Sequence, residues 1–240
     1  MTTIPISPTD RVFILTGAGI SAESGLPTFR ASDGLWAGHR IEEVCTPEAL
    51  DETPALVWEF YSMRRADCAK AQPNPAHLAL AELESNLGDR FLLCTQNVDD
   101  LHERAGSLRL IHMHGELFKS RCQAECGRPP VEDRAIYRSL EAVGHCDCGA
   151  RLRPHIVFFG EIPLEMSRIQ REIARSTLML VIGTSGSVYP AASFVNWARQ
   201  AGARTVYVGP ERPLNSAAFT TIVEGKAGKV LPGLFDLRPD

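Results

Sequence analysis

Four of the seven cysteines crowd together, as Cys122-x-x-x-Cys126 and Cys146-x-Cys148. Four thiolates suit a tetrahedral zinc ion, and with every position filled by protein such an ion has no open site for catalysis. Its expected role is structural, pinning a module too small for its own core. The Cys-x-Cys pair is tight, and the adjacent His145 could substitute for one ligand. Cys45, Cys68 and Cys94 are scattered and suit packing as small apolar residues. A disulfide framework is not expected in a chain of this size.

Other stretches carry polar chemistry. Gln96-Asn-Val-Asp99 follows an apolar run. An amide and a carboxylate there could hold a carboxamide or simply cap a helix. His112-Met-His114 places two imidazoles at i and i+2, so on a continuing strand only one faces a cleft. Imidazole suits a general base at neutral pH, although a lone histidine is also a common structural residue. Tyr61 and Arg64 are three apart on an expected helix and share a face. They read either as a core aromatic beside a solvated arginine or as a carboxylate-binding pair.

The elements that must position these groups alternate. Val12 to Leu15 suits a buried parallel strand and leads into Gly17-Ala-Gly19, which with Ala22 satisfies G-x-G-x-x-[GA]. Ile20 to Ser24 is expected to open a helix whose N–H groups face a pyrophosphate. Gly25 and Pro27 stop it early. A standard dinucleotide fold offers an acidic residue at a strand end about 20 positions on. Glu42 and Glu43 lie near that distance but follow no strand, so the loop is expected to cover a dinucleotide as a flap.

Residues 36–53 read as loop and short helix, 54–71 and 76–87 as helices, and 91–95 and 108–113 as strands. Residues 120–153, rich in Cys, Gly, Pro and Arg, read as an inserted module. Strand 156–159, helix 165–176, strand 178–182, helix 191–201 and strand 205–208 follow, and 229–237 fits a strand or a helix. This alternation predicts an α/β fold with a parallel sheet and crossovers. The glycines and hydroxyls of 183–190 fit ribose and phosphate contacts, and Gly160 in an apolar run suggests close backbone approach.

With 25 basic and 29 acidic residues the net charge is -4, which argues against a nucleic-acid partner. No apolar run is long enough to span a bilayer, and residues 1–8 lack the pattern of a secretory signal. A cytoplasmic protein is expected.

The stretch from Arg11 to Arg30, together with Gln96-Asn-Val-Asp99, His114-Gly-Glu-Leu-Phe118 and the four cysteines, resembles the sirtuins, the NAD-dependent protein lysine deacylases. The resemblance runs from about residue 11 to 236. It implies a doubly wound NAD-binding domain of residues 1–39, 76–119 and 154–240. Residues 40–75 and 120–153 would form a small helical and zinc-binding domain. It implies that NAD is consumed as a co-substrate, with transfer of the acyl group to ADP-ribose and release of nicotinamide. His114 becomes the catalytic base, and Asn97 a second catalytic residue. Ala18, Ile20, Phe29, Asn97 and Asp99 line the nicotinamide pocket. Gly17, Gly19, Ser21, Glu23, Thr28, Arg30, Trp36, Gln96 and Val98 hold the rest of NAD, with Gly183, Thr184, Ser185, Gly209, Pro210 and Glu211. The family usually has Asn where this chain has Gly209, which leaves only backbone there. Ala227 meets the adenine, through backbone. Cys122, Cys126, Cys146 and Cys148 match the family's structural zinc.

Val157, Phe159, Gly160 and Glu161 resemble the segment that pairs with an extended acyl-lysine peptide by strand addition. Thr46-Pro-x-Ala49 with Val57-Trp-Glu-Phe-Tyr61-x-x-Arg64-Arg is similar to the subgroup that removes succinyl, malonyl and glutaryl groups. There Tyr and Arg bind the distal carboxylate and Ala leaves room. Two rival classes remain: a mono-ADP-ribosyltransferase or NAD glycohydrolase using the same site, and a non-catalytic NAD-sensing module.

Overall fold

The computed structural model describes residues 2–28, 35, 36 and 38–238. Strand β1 (Ile4–Ile6) precedes β2 (Val12–Thr16), and β3 (Leu35–Trp36) pairs with β4 (His39–Arg40). Four helices follow: α1 (Ile41–Val44), α2 (Pro47–Glu52), α3 (Pro54–Lys70) and α4 (Pro75–Leu87). Next come β5 (Phe91–Thr95), α5 (Leu101–Arg104), β6 (Leu110–His112), β7 (Gly115–Cys122), β8 (Val131–Glu132) and β9 (Leu152–Ile156). The chain closes with α6 (Met166–Arg175), β10 (Leu178–Ile182), α7 (Phe194–Gln200), β11 (Arg204–Gly209), β12 (Thr221–Glu224), α8 (Ala227–Val230) and β13 (Phe235–Leu237).

Six parallel strands form the main sheet, in the order β12-β11-β10-β2-β5-β6. The expected doubly wound α/β fold is therefore present. Strands β2, β5 and β10 are buried at every residue because helices cover both faces. Side-chain alternation divides their apolar residues between two cores. Val12, Ile14, Leu93, Leu180 and Ile182 pack with Leu80, Leu83 and Leu87 of α4. Phe13, Leu15, Met179 and Val181 pack with Ile169 and Ile173 of α6 and Phe194 of α7. A third core joins Val57, Phe60, Tyr61 and Cys68 of α3 to Leu26, Val98, Leu117 and Phe158.

Several expectations are corrected. The strand expected at 156–159 ends at Ile156; it is β9, antiparallel to β7 in a three-stranded sheet. That sheet begins at Gly115, so ordered structure extends beyond the cysteine-rich stretch on both sides. The helix expected at 20–24 is two 3-10 turns, Ala18–Ile20 and Ala22–Ser24. Their N–H groups are turned inward: those of Ile20, Ser21, Ser24 and Gly25 bond within the loop, and that of Gly19 bonds Gly183 O at 2.8 Å. Residues 227–237 contain both a helix and a strand. Strands β1, β7 and β12 escape the sequence reading. No helix among the described residues is long and apolar enough to cross a membrane.

Helix α4 starts where the sequence suggests. Asn74 Oδ1 accepts from Ala76 N at 2.9 Å, Pro75 occupies the first turn, and Asn74 Nδ2 donates to Ile20 O at 2.7 Å. His77 Nδ1 accepts from Asn74 N at 3.3 Å, and the ring is wholly buried. Burial pushes its pKa down to about 4. An unfolded histidine titrates near 6.5, so as pH falls the unfolded chain takes a proton the native site refuses. This contribution to stability is whole above the unfolded value and is lost between about pH 6.5 and 4. It amounts to roughly 3 kcal/mol over that window. Urea unfolding at pH 7 and pH 4 is expected to show a smaller acid loss in His77→Asn than in the parent. An equal loss in both would remove the assignment.

Candidate active site

The strand register brings the sequence motifs to one edge. Thr16 aligns with Thr95 and Ile182, Thr95 with His112, and Ile182 with Val208. The next residues along these strands are Gly17, Gln96, Met113, Gly183 and Gly209. They lie at the carboxyl ends of parallel strands. The chain order reverses between β2 and β10, the position at which open α/β sheets bind ligands.

At that point two loops touch backbone to backbone. A Cβ at Gly17 would lie 2.8 Å from Thr184 Cβ, one at Gly19 2.7 Å from Gly183 Cα, and one at Gly183 2.5 Å from Ile20 N. These glycines therefore let 17–20 and 183–184 interlock. Gly209 faces a different neighbour: a Cβ there would fall 2.3 Å from Tyr207 Oη. The Tyr207 hydroxyl donates to Thr184 O at 3.2 Å, so the phenol fills the space of a 209 side chain and braces the same loop. Ser185, Pro210 and Glu211 are exposed around it, Thr28 is half-buried and Ala227 is buried at the start of α8. Glu23 reaches that helix, accepting from Gly228 N at 2.7 Å. Phe29 and Arg30 lie outside the described residues, as does the side chain of Trp36.

The amide loop is set from below. Asn97 N donates to Thr95 Oγ1 at 3.0 Å, Thr16 Oγ1 donates to Thr95 Oγ1 at 2.8 Å, and His102 Nε2 is 3.0 Å from Thr16 Oγ1. Above it, Asn97 Nδ2 donates to Ser21 Oγ at 3.1 Å and Ser21 Oγ donates to Asp99 Oδ2 at 3.0 Å. Asn97, Asp99, Ser21 and Ile20 are all buried, and Ala18 is half-buried. Burial raises the Asp99 pKa against the opposing bonds from Leu101 N and Ser21. Gln96 Nε2 is buried with no protein partner, the kind of donor a bound amide or phosphate satisfies. The buried amide and carboxylate of Asn97 and Asp99, with this open donor beside them, fit the polar groups of a dinucleotide. Val98 is buried, and its carbonyl accepts from Leu117 N at 2.8 Å, tying the loop to β7.

The two histidines separate by environment. His114 Nδ1 is 3.1 Å from Gln96 O. A carbonyl only accepts, so Nδ1 carries the hydrogen and a neutral ring keeps its lone pair on Nε2. Burial lowers the His114 pKa, outweighing the Gln96 bond, which favours that neutral ring. His112 Nδ1 likewise meets Asn97 O at 3.1 Å, but its Nε2 lies 2.7 Å from Glu103 Oε1. Burial alone would lower its pKa; the Glu103 bond and charge reverse this and raise it. His114 therefore has the free basic nitrogen, and His112 is held in an ion pair.

Helix α3 supplies Tyr61, wholly buried, and Arg64, 6 % exposed. Tyr61 stacks on Phe158 at 6.0 Å and donates to Cys45 Sγ at 3.3 Å. Cys45 thus accepts a hydrogen bond as well as packing, a role the sequence reading missed. Burial lowers the Arg64 pKa, and Asp99 is the strongest charge opposing this. Ala49 of α2 is buried in the same core.

Val157, Phe159, Gly160 and Glu161 form a connection rather than a strand. Val157 N donates to His114 O and Phe159 N to Cys45 O, both at 2.9 Å. Phe159 is 42 % exposed. Gly160 has φ +91° and nothing within 4 Å of a built Cβ, so it serves a turn and not a close approach. Glu161 faces inward: it accepts from Phe158 N at 2.7 Å, from Arg153 at 2.6 Å and from Arg121 at 3.2 Å. Burial would raise its pKa, but the Arg153 and Phe158 bonds hold it low.

Cys122, Cys126, Cys146 and Cys148 bring all four sulfurs within 4.8 Å of one another, with Cys122–Cys148 and Cys126–Cys146 at 3.5 Å. Zinc–sulfur bonds of about 2.3 Å in a tetrahedron separate sulfurs by about 3.8 Å, so the set fits a structural zinc. His145 is not in this group; its backbone pairs with that of Arg151. Arg65, wholly buried, ties the module to α3 by donating to Leu117 O and Ala135 O, each at 2.9 Å. Metal analysis is expected to give one zinc per chain, retained through dialysis and released under denaturant with chelator. Much less than one ion would refute the cluster.

A sequence model of the Sir2 family matches residues 17–190. The NAD-dependent protein deacylase of Escherichia coli K12 is 51 % identical over 225 residues, covering 92 % of this chain and 80 % of that one. The protein of the same description from Vibrio cholerae is 48 % identical over 231 residues, covering 95 % and 93 %. A solved Sir2 homologue–NAD complex superimposes with TM-score 0.85 at 42 % identity, covering 95 % of this chain and 89 % of that one. A Sir2–p53 peptide–NAD complex gives 0.80 at 30 % identity, covering 93 % and 92 %. With the glycine loops, the amide loop and the basic imidazole gathered on one sheet edge, and with these likenesses across nearly its whole length, the chain belongs to the Sir2 family.

Proposed function

We propose that the chain is an NAD-dependent protein lysine deacylase that removes succinyl and malonyl groups, with glutaryl also accepted and acetyl removed more weakly. The observation that carries the reaction class is His114: its Nδ1 hydrogen is fixed on Gln96 O and its Nε2 is left basic beside the Asn97 and Asp99 cradle. NAD, consumed as co-substrate, supplies the activated ribose that receives the acyl group.

Loops 17–23 and 183–185, with 209–211 and Ala227, would hold the ADP-ribose part. Asn97 and Asp99, cross-linked through Ser21, orient the nicotinamide end. His114 Nε2 takes a proton from a ribose hydroxyl so that its oxygen can attack the acyl carbon. Val157–Glu161, tied to His114 O and Cys45 O, would present the extended peptide, with Arg153 and Arg121 bracing Glu161. The acyl chain would run toward Tyr61 and Arg64 past Ala49. NAD and peptide would then meet in the cleft between residues 40–75 with 120–153 and the rest of the chain.

Incubation with NAD and a succinyl-lysine peptide tests the class. Nicotinamide, succinyl-ADP-ribose and bare lysine peptide should accumulate in equal amounts. ADP-ribosylated protein, or ADP-ribose formed with the peptide intact, would instead identify a transferase or glycohydrolase. No nicotinamide at all would leave an NAD-sensing module.

A further inference from the structure

Among the described residues, one group of side chains able to hold a metal lies outside both the cysteine cluster and the reaction chemistry. Glu103 on α5, His112 on β6 and Glu116 on β7 each offer a ligand atom, and these atoms lie within 4.8 Å of one another. His155 on β9 points Nε2 at Glu116 Oε2 from 3.9 Å, beyond hydrogen-bond range. It is 7 % exposed, and its Nδ1 is buried without a partner. Three elements therefore converge on one spot with one imidazole and two carboxylates, and a second imidazole, His155, stands beside Glu116.

We propose that Glu103, His112 and Glu116 form a second metal site, with His155 beside it, taking a borderline divalent ion such as zinc or cobalt. Imidazole nitrogens favour such ions over magnesium and calcium, which take oxygen ligands. Bonds of about 2.0–2.2 Å to nitrogen and oxygen need ligand atoms a little over 3 Å apart, within reach of small side-chain rotations here. His112 already has the outer support that ligating histidines need: Nδ1–H donates to Asn97 O at 3.1 Å, which aims Nε2 at the site.

One cation already competes. Lys119 Nζ sits 2.8 Å from Glu116 Oε1, and the ion must share or displace it. The lysine is 30 % exposed and can turn to solvent, so the site should load and empty in response to metal supply, unlike the cysteine centre. Occupancy reaches the reaction chemistry through backbone. His112 and His114 hold the consecutive carbonyls of Asn97 and Gln96. An ion on His112 replaces Glu103 as its partner and fixes the orientation of that loop.

The test is a cobalt(II) titration of the tag-free, zinc-loaded protein, followed by visible absorption and by imidazole 15N resonances. A second equivalent with the weak d–d bands of nitrogen and oxygen ligands, and no sulfur charge-transfer band, is expected. The shifted resonances should include His112 and His155. Glu116→Gln and Glu103→Gln should each weaken this equivalent at least tenfold while the zinc content stays at one. Uptake of cobalt only by exchange at the cysteines overturns the proposal. So does a second equivalent that binds Glu116→Gln as tightly as the parent, or one that shifts only His39 and His145.

Discussion

His114→Ala is expected to reduce release of bare lysine roughly 10²–10⁴-fold, the usual contribution of a positioned general base. Among the described residues, the substitution removes the one imidazole at the sheet edge whose Nε2 is left as a base. Its neighbour cannot replace it, because His112 Nε2 is held by Glu103 at 2.7 Å and its pKa is raised. The loss should fall on kcat far more than on NAD binding, since the proposed NAD cradle is built by Gly17, Gly19, Ser21, Asn97 and Asp99. Departure of nicotinamide needs no proton acceptor, so exchange of labelled nicotinamide into NAD, with acyl peptide present, should survive. That split separates a base from a structural histidine: a collapsed site would lose both activities together. Turnover intact in the variant would remove His114 from the reaction.

Much of this edge is legible in the chain because parallel strands advertise themselves. Val12–Thr16, Phe91–Thr95 and Leu178–Ile182 are continuous apolar runs, and the residues just past each are polar or glycine-rich. Once three such runs are aligned in one sheet, the motifs at their carboxyl ends must meet. Elements whose pattern is set by tertiary contact are less readable. β7 mixes Leu117 and Phe118 with Lys119, Ser120 and Arg121, and becomes a strand because β8 and β9 return on either side of it. Val157–Phe159 has strand-like composition, yet Gly160 at φ +91° and the inward Glu161 clamp bend it out of the sheet. The buried polar network under Asn97 has no local signature at all: Thr16, Thr95 and His102 come from three separate elements. The same holds for Arg65, whose burial depends on carbonyls of Leu117 and Ala135.

Arg64→Met is expected to lower the ratio of kcat/KM for succinyl-lysine over acetyl-lysine by about ten- to a hundredfold, with methionine retaining much of the packing volume. Hydrogen bonds to a charged group contribute about 1.5–3 kcal/mol each, which sets that range. A guanidinium 6 % exposed has lost most of its hydration, and burial lowers its pKa. A carboxylate at the end of an acyl chain supplies counter-charge at short range, whereas an acetyl methyl does not. Tyr61, wholly buried three residues earlier, adds a donor on the same face once its hydroxyl turns from Cys45 Sγ to the acyl carboxylate. A competing role is visible in the same structure, because Asp99 is the leading charge acting on Arg64. If Arg64 chiefly steadies Asp99, the variant should raise KM for NAD with both peptides and leave their ratio alone. If it reads the acyl carboxylate, KM for NAD measured with acetyl peptide should stay within about threefold while the succinyl advantage falls. Tyr61→Phe should move the ratio the same way by a smaller factor, since it removes one neutral donor and no charge.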